Sequence, residues 1–109
     1  MANTYKVLGQ VAPSATTATS LYTAPSSTQA VISTIVVCNR AATAGTYRIA
    51  IRPDGAALAT THYVAYDITI AANDSTALTL GITLGDTDVV TVYASSADMT
   101  FSAFGSEIA

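Results

Sequence analysis

The chain has 109 residues, with four Lys and Arg against seven Asp and Glu for a formal net charge of −3, and it is 10% charged and 50% hydrophobic. That length fits a single domain over residues 1–109 with one core, and leaves no room for a second. Neutralising a phosphate backbone takes clustered cations, so Lys6, Arg40, Arg48 and Arg52 exclude a nucleic-acid binder; no run reaches the roughly 18 to 20 apolar residues of a membrane helix.

Alternation of period two runs through most of the chain, the pattern of strands with one face in a core. Residues 3–11 place Tyr5, Val7 and Gly9 on one side, and Pro13 with a Ser/Ala/Thr stretch then breaks pairing. A short strand at 19–23 ends before Pro25. Residues 30–39 are the strongest strand, with Val31, Ile35 and Val37 on one face and Ile32, Val36 and Cys38 on the other. Apolar residues on both sides predict a central strand covered on two faces. Cys38, the single cysteine, excludes an internal disulfide and is expected to be a small buried hydrophobe.

Tyr47, Ile49 and Ile51 alternate with Arg48, Ala50 and Arg52, a half-exposed strand that Pro53-Asp54-Gly55 reverses. The returning strand, 61–70, places Val64, Tyr66, Ile68 and Ile70 on one face. After a turn at 72–75, Leu78, Leu80, Ile82 and Leu84 read as one strand, and strands at 89–94 and from Met99 onward follow. About eight short strands punctuated by turns every 8 to 12 residues predict an all-β, single antiparallel β-sandwich, jelly-roll or immunoglobulin-like. The closing segment 104–109 has no polar tail and is expected to be pinned in the fold or against a neighbour.

Chemistry-bearing residues are sparse. His62 is the single histidine and has no Ser or Cys beside it in a nucleophile motif, so it reads as a strand residue. The acids Asp54, Asp67, Asp74, Asp86, Asp88 and Asp98 fall mostly in turns, where carboxylates accept from nearby backbone N–H groups. Asp86 and Asp88 could share a calcium ion, but Gly85-Asp86-Thr87-Asp88 lacks the rest of an EF-hand loop, which favours capping. Tyr63, Tyr66 and Tyr93 are candidates for stacking on sugars, with inter-strand packing and subunit contact the alternatives. No catalytic, metal or cofactor-binding residue is assigned, and no cofactor is expected.

A mean hydropathy of +0.44 with so few charges predicts that part of the surface is buried between subunits of a homo-oligomer. Arg40, Arg48 and Arg52 are candidates for pairs across such a contact.

The run Leu21-Tyr22-Thr23-Ala24-Pro25 followed by residues 30–40, with Ile51-Arg52-Pro53-Asp54-Gly55-Ala56, His62-Tyr63-Val64-Ala65-Tyr66-Asp67 and Phe104-Gly105-Ser106-Glu107-Ile108, resembles small virion proteins of tailed bacteriophages. The resemblance implies a β-sandwich subunit that assembles as trimers or rings on the capsid surface, neck or tail. It further implies a non-enzymatic virion component made in the host cytoplasm, whose partners are the major capsid protein or other virion subunits. It carries over no catalytic residue. A capsid decoration or cement protein is the leading expectation, a neck, tail or baseplate subunit the next, and a host-glycan-binding module the alternative of another class.

Overall fold

In the computed structural model, which describes residues 2–109, nine strands form two antiparallel sheets. They are β1 (Asn3–Val11), β2 (Thr19–Thr23), β3 (Gln29–Asn39), β4 (Gly45–Arg52), β5 (Tyr63–Ile70), β6 (Ser75–Leu78), β7 (Ile82–Leu84), β8 (Val89–Ala94) and β9 (Met99–Ile108). The first sheet runs β1-β9-β3-β6, with β7 also on β3; the second runs β2-β8-β4-β5. Among the described residues no helix is long and apolar enough to cross a membrane.

The pairing is nested. First strand lies beside last (β1 on β9), second beside penultimate (β2 on β8), β3 beside β6 and β7, and β4 beside its neighbour β5. A long hairpin folded over on itself in this way is a jelly roll, and this order decides between the two predicted sandwich topologies.

One core fills the gap between the sheets, with Ile32, Ile35, Val37, Met99 and Phe101 from the first layer against Tyr47, Ile49, Ile70, Val90 and Val92 from the second. Tyr47 and Phe101 meet edge to face, centroids 6.2 Å apart at 72°, an arrangement their ring quadrupoles favour. The Tyr47 hydroxyl is buried and has no hydrogen-bond partner. At the rim, Asn39 Nδ2 donates to the carbonyls of Thr43 at 3.0 Å and Ala71 at 3.1 Å, the latter shared with the Ile70 carbonyl at 3.4 Å, while its Oδ1 accepts from the Ala41 N–H. A single buried amide therefore ties together two loops that would otherwise hold unpaired backbone groups.

The structure corrects four expectations of strand phase. Between Ile32 and Thr34 the register of β3 on β9 slips by one residue, a bulge at Ser33 that adds a residue to one strand and reverses which side chains face inward beyond it. Ala30, Ile32, Ile35, Val37 and Asn39 consequently all face the core, and β3 is covered on one face, not two. Cys38, predicted to be buried, is half-buried on the outer face. The segment 78–84 is two strands, because the chain leaves β3 opposite the bulge, passes through Gly81 at φ +61 and rejoins β3 in the same direction at Ile82. In β5, Ala65 lies opposite Ile49 and Ile68 opposite Tyr47, with Asp67 at φ 51 as the extra residue between them; Val64, Tyr66 and Ile68 are exposed, and of the predicted apolar face only Ile70 is buried.

The closing segment lies within β9 as far as Ile108, paired with β1 on one side and β3 on the other, and Ala109 exchanges backbone hydrogen bonds with Ala2. Gly105 is required there: a Cβ at this position would lie 1.9 Å from the Val31 carbonyl oxygen.

Candidate functional site

Strand β4 sits between β8 and β5, so its outward Arg48 has Tyr93 directly opposite on one side and the β5 bulge on the other. The Arg48 guanidinium stacks over the Tyr93 ring at 4.3 Å and over the Tyr66 ring at 4.2 Å. Its Nε donates to Asp67 Oδ1 at 2.6 Å and its Nη2 to Oδ2 at 3.3 Å. The hydrogen bonds to Asp67 raise the guanidinium's proton affinity, opposed by desolvation and aided by the same carboxylate's charge. Bulge geometry supplies this contact, since Asp67 reaches Arg48 from the left-handed conformation that Asp tolerates better than most residues.

Tyr63 packs edge-on against Tyr66, ring centroids 4.9 Å apart at 81°. Beside them the loop before β5 leaves an open hollow of about 540 Å³ lined by Leu58, Ala59, Thr60, Tyr63 and Tyr66. His62 Nδ1 accepts from the Ala59 N–H at 3.1 Å, and Arg52 donates to the Ala56 carbonyl at 3.1 Å and to Thr91 Oγ1 at 3.0 Å. The lone histidine thus shapes the loop. Along the free edge of this sheet Val64 and Tyr66 are 51% and 53% exposed, and they join the hollow to an apolar strand with unpaired backbone groups.

The candidate sugar-stacking tyrosines therefore come together, but around a cation already in place: Arg48 occupies one face each of Tyr66 and Tyr93. The arginines singled out for contacts between subunits are all engaged within the chain, Arg40 through the Ala97 carbonyl, Arg48 through Asp67 and Arg52 through Thr91 and Ala56.

At one end of the sandwich, Asp88 accepts from the N–H groups of Asp54 and Gly85, both at 2.8 Å, and Asp86 accepts from the Ser27 N–H at 3.4 Å. These carboxylates cap turns, the favoured sequence reading. Among the described residues no group of three or more His, Cys, Asp or Glu is arranged to hold a metal ion.

The outer face of the first sheet has a different character. Register aligns Tyr5, Ser106, Val31 and Thr83 in one row across β1, β9, β3 and β7, then Val7, Phe104 and Thr34, then Gln10, Ser102, Val36 and Ala77. None of these side chains is charged. Lys6 and Glu107 belong to the inward phase of β1 and β9, where they pair at 2.7 Å. Composition signalled a charge-poor surface, but its gathering onto one face depends on where the bulges fall.

No protein-family model, curated protein or solved structure matches the chain, so the reading of its surfaces rests on its own residues.

Proposed function

We propose that the chain is a non-enzymatic structural protein of a tailed-bacteriophage virion, a capsid decoration or cement protein that bridges neighbouring major-capsid subunits as part of a homo-oligomer. The observation that carries this reading is the free edge of β5, an uncovered apolar strand beside the Tyr63–Tyr66 hollow. Sandwiches ordinarily blunt such edges with charge, proline, bulges or a covering loop, because exposed strand edges recruit other chains; of these β5 has bulges and no proline. Here the only charge on the edge strand, Asp67, is drawn back onto Arg48. An extended capsid segment would add backbone hydrogen bonds along β5 and place an apolar side chain in the hollow.

Cementing would then follow from mass action. A clamp that binds junctions present only in the mature shell stabilises that shell relative to every state lacking them. A neck, tail or baseplate subunit would use the same edge toward a different ring.

A second reading is host-glycan binding, favoured by the hollow's two tyrosines with Thr60 in the same lining. Cryo-electron microscopy of intact particles from the source of the chain tests these readings. Density over the icosahedral shell at capsomer junctions, contacting β5, is the expected result. Density at the neck or tail selects the alternative virion position, and absence from the particle overturns the virion reading.

A further inference from the structure

We infer that the uncharged outer face of the β1-β9-β3-β6/β7 sheet is a two-fold interface with a second copy of this chain, sheet packed on sheet. The inference specifies the subunit contact within the proposed function and rests on that oligomeric reading, while its test needs no virion.

Area is the first ground. The face is as long as β3, 11 residues, and four strands wide, about 36 by 19 Å or roughly 700 Å² from strand rise and spacing. That is close to the roughly 800 Å² each partner buries in a stable interface. Residues at its centre, Val31, Val36 and Phe104, are only half-buried by the chain's own fold, and Tyr5 and Val7 at its rim are 79% and 50% exposed.

Electrostatics is the second ground, and it selects a second copy over a different protein. A two-fold contact lays a patch against itself, so a patch carrying one sign of charge repels its own copy, and a charge near the axis meets its own image. The face carries none, although the chain's net charge is −3. Those charges are placed elsewhere: Arg48, Arg52 and Asp67 on the opposite outer face, Asp54, Asp86 and Asp88 at one end, and Arg40, Asp74 and Asp98 in the turns at the other. Stacking the second sheet on itself would carry Arg48 and Arg52 of both copies into the contact. The face offers apolar groups, hydroxyls, the Cys38 thiol and the amides of Asn3, Gln10 and Gln29, none of which opposes its own copy. The β5 edge remains free in such a dimer.

Sedimentation equilibrium of the purified chain, with the outward Val36→Glu and Val64→Glu as variants, is the test. Wild type and V64E, which alters the opposite sheet, are expected at twice the mass of one chain. V36E is expected at the mass of one chain with its circular dichroism unchanged, because each copy then brings a carboxylate into a contact that holds no cation to pair with it. Cys38, on the same outer face, gives a readout needing no substitution: maleimide labelling of the wild type should accelerate on dilution as the pair separates. A wild type of single mass at every concentration, or an oligomer that V36E leaves intact while Cys38 labels at one rate throughout, overturns the inference. Failure here together with particle density at capsomer junctions would leave the cement role standing without this dimer.

Discussion

Tyr22, on β2, donates its hydroxyl to Glu107 Oε2 of β9 at 2.5 Å, a side-chain bond from one sheet to the other between residues 85 apart in sequence. Lys6 Nζ completes the group, 2.7 Å from Glu107 Oε1. Hydrogen bonds from Lys6 and from Tyr22 hold the Glu107 carboxyl below the usual glutamate range. Burial, followed by the bond to the carboxylate, pushes the Tyr22 phenol up.

A depressed carboxyl contributes stability that is complete above the unfolded-state value, roughly 4.3, and is lost as pH falls through the lower folded value. Urea unfolding across the acid range should therefore show the wild type losing stability where Glu107→Gln does not. Tyr22→Phe should cost about 1.5 to 3 kcal/mol at neutral pH, the range for a hydrogen bond to a charged group. Equal acid slopes in wild type and E107Q would refute the assignment.

Tyr47→Phe should leave stability unchanged or raise it by about 1 kcal/mol, because the native hydroxyl is desolvated without a partner. Thermal unfolding of the two proteins decides this. A clear loss on substitution would mean that the hydroxyl is hydrogen-bonded in solution.

Gly105→Ala should destabilise by about 2 to 4 kcal/mol, since the new methyl meets the Val31 backbone and not a side chain that can turn away. Gly81→Ala, where nothing lies within 4 Å and only the positive φ resists, should cost about 1 kcal/mol. Comparable losses at the two sites would show that the close approach of β9 to β3 relaxes readily.

Asn39→Asp keeps the acceptor for Ala41 and replaces the amide that serves three carbonyls with an anion. A loss of about 3 kcal/mol or more is expected at neutral pH, partly recovered as acid protonates the new carboxyl. Hydrogen exchange in the 40–44 and 71–74 loops should rise with it; unchanged exchange would show that other bonds hold those loops.

Strand positions were legible because turns are local. Pro53-Asp54-Gly55 and Gly85-Asp86-Thr87 occupy reversals in the structure, and β1, β2 and β8 span the residues that alternation marks. The phase within β3 and β5 was not legible. Ser33 is an ordinary strand residue, and a single Asp67 within an alternating run does not by itself specify a bulge; where the extra residue falls is decided by the pairing with β9 and β4. The same limit applied to the surfaces. Tyr63, Tyr66, Tyr93 and Arg48 could each be singled out, but stacking the guanidinium between two tyrosines requires β8, β4 and β5 side by side. Nor could the uncharged face be identified before β3 was known to turn Ile32 inward and Val31 outward.

Nested pairing also gives the molecule a history. Only β4 and β5 are consecutive strands that pair with each other, across residues 53–62; each pair outside them closes over the pairs already formed, ending with β1 against β9. Loop-closure entropy favours assembly from the middle of the chain toward its two ends. Mutational φ-values should therefore be highest at the β4–β5 contact and lowest along β1, where a flat or reversed profile would contradict the order. The outermost strand, which carries Tyr5 and Val7, is then the last to be laid down, so the uncharged face is complete only once the rest of the subunit has formed.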